Sequence, residues 1–221
     1  MKPKFYVFLD IDGTMWDMRD LKNRNRYLIE MNPESGKALT ILMDSLNAQY
    51  DADLVITSRR RIDWQDCLNF FYSAGYDIDK YNPHMTHLKC VNKPRGVKIA
   101  EYMYNSEKGH TEKNQRYFLR LFEKPLARKL GQKMTKRFVV IDDDMRPIEG
   151  ILPDDNLIHT SKLIQALNIE MVENFLKRNN IEILKNNHSE CANSELEISK
   201  NSLKQEIEKE TNDNENEMGA E

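Results

Sequence analysis

The sequence has few cysteines and no long apolar run. The first feature argues against a disulfide-stabilised protein and the second against a membrane-spanning one. Its three cysteines are an odd number without the regular spacing of a disulfide framework, so we expect reduced thiols in a cytoplasmic protein. No stretch approaches the roughly 18–20 apolar residues of a membrane-spanning helix, and we expect no membrane partner. The basic start is followed by a short apolar run, Phe5 to Leu9, so we also expect no secretion signal.

A strong excess of one charge is also lacking, because 33 Lys and Arg residues face 36 Asp and Glu residues. The charge is unevenly spread: residues 186–221 hold ten acidic and three basic residues and no aromatic residue, while the rest of the chain is mildly basic. A segment with the composition of residues 186–221 does not bury enough apolar surface to fold. We therefore expect one folded domain over residues 1–183 and an acidic, disordered tail over 184–221.

Short apolar runs alternate with longer helical patterns, which is typical of an α/β fold with a parallel sheet. The clearest runs are almost unbroken, as expected of strands that are buried on both faces. Strands are predicted over 5–10, 53–57, 84–91, 138–142 and 156–160. Helices are predicted over 33–48, 62–74, 94–104 and 161–177, the last of them capped by Ser161.

Oxygen-bearing side chains follow three of these predicted strands. Asp10 and Asp12 follow the first, Thr57 and Ser58 end the second, and residues 142–144, all Asp, follow the fourth. Ligands of open α/β sheets bind at the carboxyl ends of the strands, so we expect these side chains to share a site. Carboxylates at the end of a buried strand need a compensating cation. Oxygen ligands of this kind suit Mg²⁺.

The spacing of these residues suits phosphoryl chemistry. Two aspartates two residues apart just past a strand can both approach one site, and Gly13 permits the sharp exit of the chain. One carboxylate can attack a phosphorus atom, and the other can protonate the leaving oxygen and then activate water. Thr57 can donate its hydroxyl to a phosphoryl oxygen. The helix that starts near residue 94 offers Lys93 and Arg95 at its positive end to balance the phosphate charge.

Four short motifs follow one another along the chain: DIDGT at 10–14, VITSR at 55–59, KPRG at 93–96 and VVIDDD at 139–144. In this order they resemble the four motifs of the haloacid dehalogenase (HAD) superfamily, and the resemblance covers residue 5 to about 176. Within the superfamily, the segments RGVKIAEYM, VVIDDD and LIHTSKLIQAL look most like the HAD domains of Swiss-army-knife RNA-repair proteins. The resemblance implies a Rossmann-like parallel sheet with helices on both faces. The short intervals between motifs predict no large cap domain.

The resemblance also implies a role for each matched residue. Asp10 would be the covalent nucleophile, Asp12 the general acid and base, and Thr57 the hydroxyl that binds the phosphoryl group. The expected magnesium ligands are Asp10, Asp12, Asp142 and Asp143. The expected substrate-binding residues are Gly13, Ser58 and Arg59. The cation of the third motif stays open between Lys93, Arg95 and Lys98.

Basic residues after the first two motifs favour a polyanionic substrate, such as a nucleotide or a nucleic acid end. Arg59 is the strongest candidate, and a solvated helix start is the alternative. Residues 111–137 hold nine Lys or Arg against two Glu. The segment 111–136 is an insertion relative to the minimal domain, and we interpret it as accessory helices, with a nucleic-acid surface as the alternative.

The sequence therefore predicts a hydrolase, a magnesium-dependent phosphomonoesterase that acts through an aspartyl-phosphate. The alternative is a non-catalytic HAD-like module that binds nucleic acid or has a regulatory role. Another HAD chemistry, such as dehalogenation, is disfavoured because the departure of a halide needs no proton from Asp12. The sequence makes no prediction of the oligomeric state.

Overall fold

The structure of the chain, a computed structural model, describes residues 2–16, 30–86, 94–107 and 137–184, apart from residues 147, 149, 162 and 164. Four predictions lie wholly or partly outside the described residues. They concern residues 87–91 of the predicted third strand, Lys93, the basic insertion over 111–136 and the acidic tail from residue 185 onward.

Five described strands form one sheet in which every pair of neighbours is parallel. They are β1 (Lys4–Leu9), β2 (Asp51–Ile56), β3 (His84–Met85), β4 (Phe138–Asp142) and β5 (Leu157–His159). Their order across the sheet is β3-β2-β1-β4-β5, so β1 lies at the centre. This arrangement confirms the predicted α/β, Rossmann-like fold class.

Four α-helices connect or flank these strands: α1 (Pro33–Gln49), α2 (Trp64–Tyr72), α3 (Arg95–Glu107) and α4 (Ile169–Arg178). Short 3-10 helices cover Arg59–Ile62, Asp79–Tyr81 and Asp154–Asn156. The helix α1 begins where the side chain of Asn32 accepts a hydrogen bond from the amide of Glu34 at 2.9 Å. Pro33 follows this cap, at a position where the missing amide proton costs no hydrogen bond.

The two faces of the sheet pack against different helices. Phe5, Val7 and Leu9 of β1 belong to one hydrophobic core, which includes buried residues of α1, α2 and α4. Tyr6 and Phe8 belong to a second core, which includes α3 and the segment after β4. Because successive strand residues point to opposite faces, the side chains of β1 are buried on both faces of the sheet. The prediction of helices on both faces is confirmed.

The predicted start of the last helix at Ser161 is wrong. Ser161 and Gln165 instead exchange two backbone hydrogen bonds, of 2.7 and 2.9 Å, which close a turn. The amide of Leu167 then donates to the carbonyl of Thr14 at 2.7 Å and ties this segment to the loop after β1. The helix α4 begins only after Asn168, whose side chain accepts from the amide of Met171 at 3.0 Å.

The start of a second helix also differs from the prediction. The helix predicted over 62–74 begins as a 3-10 helix, and α2 starts after Asp63, whose side chain caps it. Of the strand predicted over 84–91, only residues 84–86 are described, and β3 pairs with β2 there through two register pairs. The absence of a large cap domain stays a prediction, because part of the first interval lies outside the described residues. In the described part of the chain, every helix is too short or too polar to cross a membrane.

Candidate active site

The register of the sheet brings the ends of three strands to one place. Leu9 of β1 pairs with Ile56 on one side and with Ile141 on the other. The hydrogen-bond ladder continues for one more residue, since the amide of Asp10 donates to Ile141 at 3.0 Å and the amide of Thr57 donates to Leu9 at 2.8 Å. Asp10, Thr57 and the last residue of β4 therefore lie side by side at the carboxyl edge of the sheet.

Three carboxylates converge at this edge. Asp10, Asp142 and Asp143 each offer one oxygen, and these oxygens lie within 4.8 Å of one another. Asp10 is 3% exposed and Asp142 is fully buried, while Asp143 is partly exposed. One oxygen of Asp142 accepts a hydrogen bond from the amide of Asp144 at 2.9 Å. All three converging residues are among the predicted metal ligands.

A guanidinium group lies against this cluster. Arg95 is the first residue of α3, and its Nη1 donates to Oδ2 of Asp10 at 2.9 Å. The same nitrogen also donates to Oδ2 of Asp142. Arg95 is one of the three cations that the sequence left open for the third motif, and the structure places it on both buried carboxylates. Lys93 lies outside the described residues.

The contact with Arg95 does not offset the effect of burial on the two carboxylates. Burial raises the pKa of Asp10 above its usual range, although Arg95 opposes the rise. Burial, followed by the charge of Asp10, raises the pKa of Asp142 to about 7. Burial lowers the pKa of Arg95, but the attraction of the two carboxylates outweighs this effect and holds it above its usual value. Without a further cation, the site favours the uptake of protons.

The carboxylate of Asp12 is held by a different group. Its Oδ1 accepts a hydrogen bond from Nε of Arg60 at 2.8 Å and a longer one from Nε1 of Trp16 at 3.4 Å. The side chain of Asp12 is partly exposed, which leaves it open to a ligand. Asp12 is not among the three residues whose carboxylate oxygens converge, although its charge contributes to the raised pKa of Asp10. The role of Asp12 as a magnesium ligand stays a prediction.

The turn after β1 is fixed by hydroxyl groups. Gly13 has a φ of 81°, in the left-handed region that favours glycine, as predicted for the sharp exit of the chain. The hydroxyl of Thr160 donates to the carbonyl of Gly13 at 3.3 Å and lies 3.1 Å from the hydroxyl of Thr14. Thr160 directly follows β5 and is 1% exposed. The end of β5 therefore supports the loop that carries Asp10 and Asp12.

The residues after β2 have separate environments. Thr57 is 4% exposed at the carboxyl edge of the sheet, and Ser58 is fully buried. The hydroxyl of Ser58 accepts from the amide of Arg60 at 3.3 Å and so caps the 3-10 helix that follows. Arg59 is exposed, which fits both a contact with a large substrate and a solvated helix start. Ser58 therefore has a structural role, and the substrate contact predicted for it stays a prediction.

Sequence reasoning did not assign three residues that support the site: Arg60, Trp16 and Thr160. Thr160 ends a predicted strand, as Thr57 does, so the same argument that selected Thr57 could have found it. Trp16 lies four residues after Asp12, a spacing that allows contact in a tight turn. Arg60 lies within a run of three arginines, and the sequence carries no signal that distinguishes it from its neighbours.

A scan against protein-family models found no match, and neither did a search of the curated proteins or a search of the solved structures.

Proposed function

We propose that this chain is a magnesium-dependent phosphomonoesterase of the HAD type, which acts through an aspartyl-phosphate on Asp10. One observation carries the proposal. Asp10 follows the central strand, lies in a cluster with Asp142 and Asp143, and is bonded to Arg95. A buried carboxylate with a cation beside it at the carboxyl edge of a parallel sheet is suited to bind and attack a phosphoryl group.

The donor set of the cluster fits Mg²⁺. Asp10, Asp142 and Asp143 offer only oxygen atoms, which hard divalent cations prefer. Burial, followed for Asp142 by the charge of Asp10, raises the pKa values of Asp10 and Asp142, and a bound cation would favour their ionised form. These three residues would hold the ion. A bound Mg²⁺ would neutralise the phosphate and the nucleophile, so that one anion can approach the other.

The side chains divide the proposed first step between them. A carboxylate oxygen of Asp10 attacks phosphorus, and the bond from phosphorus to the leaving oxygen breaks. Asp12 gives a proton to that leaving oxygen, which departs as an alcohol. Arg95 orients the nucleophile and stabilises negative charge on the phosphoryl group, and Thr57 donates its hydroxyl to a phosphoryl oxygen.

Water completes the cycle in the second step. Asp12, now ionised, takes a proton from a water molecule, which attacks the phosphorus of the aspartyl-phosphate. The bond from phosphorus to Asp10 breaks, inorganic phosphate leaves, and both carboxyl groups return to their first state. The exposed Arg59 supports a polyanionic substrate, such as a nucleotide or a phosphorylated nucleic acid end.

The proposal is tested by replacing Asp10 with asparagine, which keeps the shape of the side chain and removes the nucleophile. Hydrolysis of an aryl phosphate with Mg²⁺ should fall by roughly 10³-fold or more in Asp10→Asn, because no covalent intermediate can form. Circular dichroism of the variant should match that of the wild type. Wild-type turnover by a clean preparation of Asp10→Asn would remove the assignment. Nucleotides, oligonucleotides with 3′- or 5′-phosphates and sugar phosphates, assayed in parallel, identify the substrate class.

The same assay tests the metal. A chelator should abolish hydrolysis and added Mg²⁺ should restore it, and Asp143→Ala should raise the concentration of Mg²⁺ required. Hydrolysis that persists in chelator would contradict the metal assignment. Binding to oligonucleotides without hydrolysis of any phosphate ester would favour the non-catalytic alternative.

A further inference from the structure

Arg60 is fixed at its backbone by the segment that links β2 to α2. Its amide donates to the buried hydroxyl of Ser58 at 3.3 Å, and its carbonyl accepts from the amide of Asp63 at 3.1 Å. Asp63 in turn caps α2. The start of the Arg60 side chain therefore has a defined position relative to the end of β2.

The guanidinium of Arg60 is fixed from a second direction. Its central carbon lies 5.0 Å from the centre of the Phe70 ring, and Phe70 is a core residue of α2 that is 4% exposed. A guanidinium over an aromatic face is attracted by the ring, and the planar group is held in one orientation.

The held guanidinium ends on the carboxylate of Asp12. The distance from Nε of Arg60 to Oδ1 of Asp12 is 2.8 Å, and the two side chains are 29% and 37% exposed. An exposed ion pair of this kind contributes little to stability by itself. The ion pair instead orients the carboxylate of Asp12, because Arg60 is itself held in place by its contacts with Ser58 and Phe70.

We propose that Arg60 is a positioning residue for Asp12, which fixes the carboxylate that exchanges a proton with the substrate. This inference rests on the proposed function, in which Asp12 is the general acid and base. Arg60 acts through Asp12, whereas the exposed neighbour Arg59 meets the substrate. The basic run after β2 therefore combines two roles in adjacent residues.

The test compares Arg60→Gln and Arg60→Lys with the wild type on two esters. An alkyl phosphate has a poor leaving group and depends strongly on the acid, whereas an aryl phosphate has a good one. In Arg60→Gln we expect kcat for the alkyl ester to fall by roughly 10-fold to 100-fold, a part of the usual contribution of a general acid. The loss on the aryl ester should be smaller, and KM should change by less than about twofold on both esters. Arg60→Lys should recover part of kcat. Arg178→Gln, which removes an exposed arginine of α4, is the matched control and should behave as the wild type.

A double variant separates positioning from substrate binding. In an Asp12→Asn background, Arg60→Gln should cause no further loss on the aryl ester, because the residue through which Arg60 acts is already gone. A raised KM with unchanged kcat, or an equal loss in both backgrounds, would overturn the positioning role. If the wild type hydrolyses no phosphate ester, the proposed function fails and the role of Arg60 fails with it. If the wild type is active and Arg60→Gln has the same kcat as the wild type on both esters, only the role of Arg60 fails. Should Arg60→Gln not fold, Arg60→Lys decides by the same ratio of alkyl to aryl losses.

Discussion

At the scale of single residues, the charge balance of the site depends on Arg95. Its side chain is 20% exposed and contacts two carboxylates that are almost completely buried. Removing one partner of a buried ion pair lowers the free energy of unfolding by more than the intact pair contributes to it, because the remaining charges stay buried without compensation. The carboxylates can escape this cost only by taking up protons.

Replacement of Arg95 by methionine should therefore destabilise the metal-free protein in a pH-dependent way. We expect a loss of about 3 kcal/mol at about pH 8 and a smaller loss at about pH 5, where Asp10 and Asp142 are more readily protonated. Urea denaturation in chelator at the two pH values measures the difference, and Arg95→Lys is the control that keeps the charge. An equal loss at both pH values would show that Arg95 stabilises the fold through packing alone.

The residues of the site differ in how far the sequence could predict them. Asp10, Thr57 and Asp142 each directly follow or end a strand that is visible as an apolar run, so their convergence needs only the rule that parallel strands end at one edge. The pairing of Arg60 with Asp12 and of Arg95 with Asp10 joins residues 48 and 85 positions apart. Such pairings depend on how separate helices pack on the sheet, so the sequence offers Arg95 only as one of three candidates and does not single out Arg60.

At the scale of elements, the sequence predicts β4 more accurately than the last helix. β4 matches its prediction at both ends, because a run that is buried on both faces has a clear boundary in hydrophobicity. The last helix was extended too far towards the N-terminus, because Ser161 has the chemistry of a cap. What decides between Ser161 and Asn168 is tertiary: the segment between them is tied to Thr14 by Leu167.

The two cap candidates give a matched pair of variants. Asn168→Ala should lower the free energy of unfolding by about 1 kcal/mol, because it removes the acceptor for the amide of Met171. Ser161→Ala should have an effect of less than about 0.5 kcal/mol, as for a substitution outside a special position. Urea denaturation of both variants under the same conditions measures the contrast. A larger loss from Ser161→Ala than from Asn168→Ala would place the start of the helix at the earlier residue.

At the scale of the whole molecule, hydrophobic cores on both faces of the sheet hold in place the carboxyl edge at which the candidate site lies. The loops that carry the candidate site leave β1, β2 and β4, which are neighbours at the centre of the sheet. The class of this fold follows from the alternation of strands and helices along the chain. The strand order β3-β2-β1-β4-β5 does not follow from this alternation, because it depends on the side of the sheet to which each connection adds the next strand. The site and the core thus share β1, and the charge state of the site affects the stability of the entire domain.

This coupling predicts how global stability depends on pH when no metal is bound. The pKa of Asp142 is raised from 3.8 to about 7 in the folded protein, first by burial and then by the charge of Asp10. The folded state therefore binds more protons than the unfolded state between these values. By linkage, the stabilising effect is fully present below the lower value and is lost as the pH rises through the upper one.

The free energy of unfolding in chelator should accordingly fall between about pH 4 and about pH 7, and Asp142→Asn should flatten this fall. At about pH 8 the variant should be at least as stable as the wild type, because one buried charge has been removed while Arg95 keeps Asp10 as a partner. Added Mg²⁺ should then raise the unfolding temperature of the wild type more than that of the variant, since only the wild type keeps all three carboxylates. Calorimetry with and without chelator measures all three effects. A large loss of stability in Asp142→Asn at the higher pH would mean that Asp142 holds the fold together, and its assignment as a metal ligand would then be wrong.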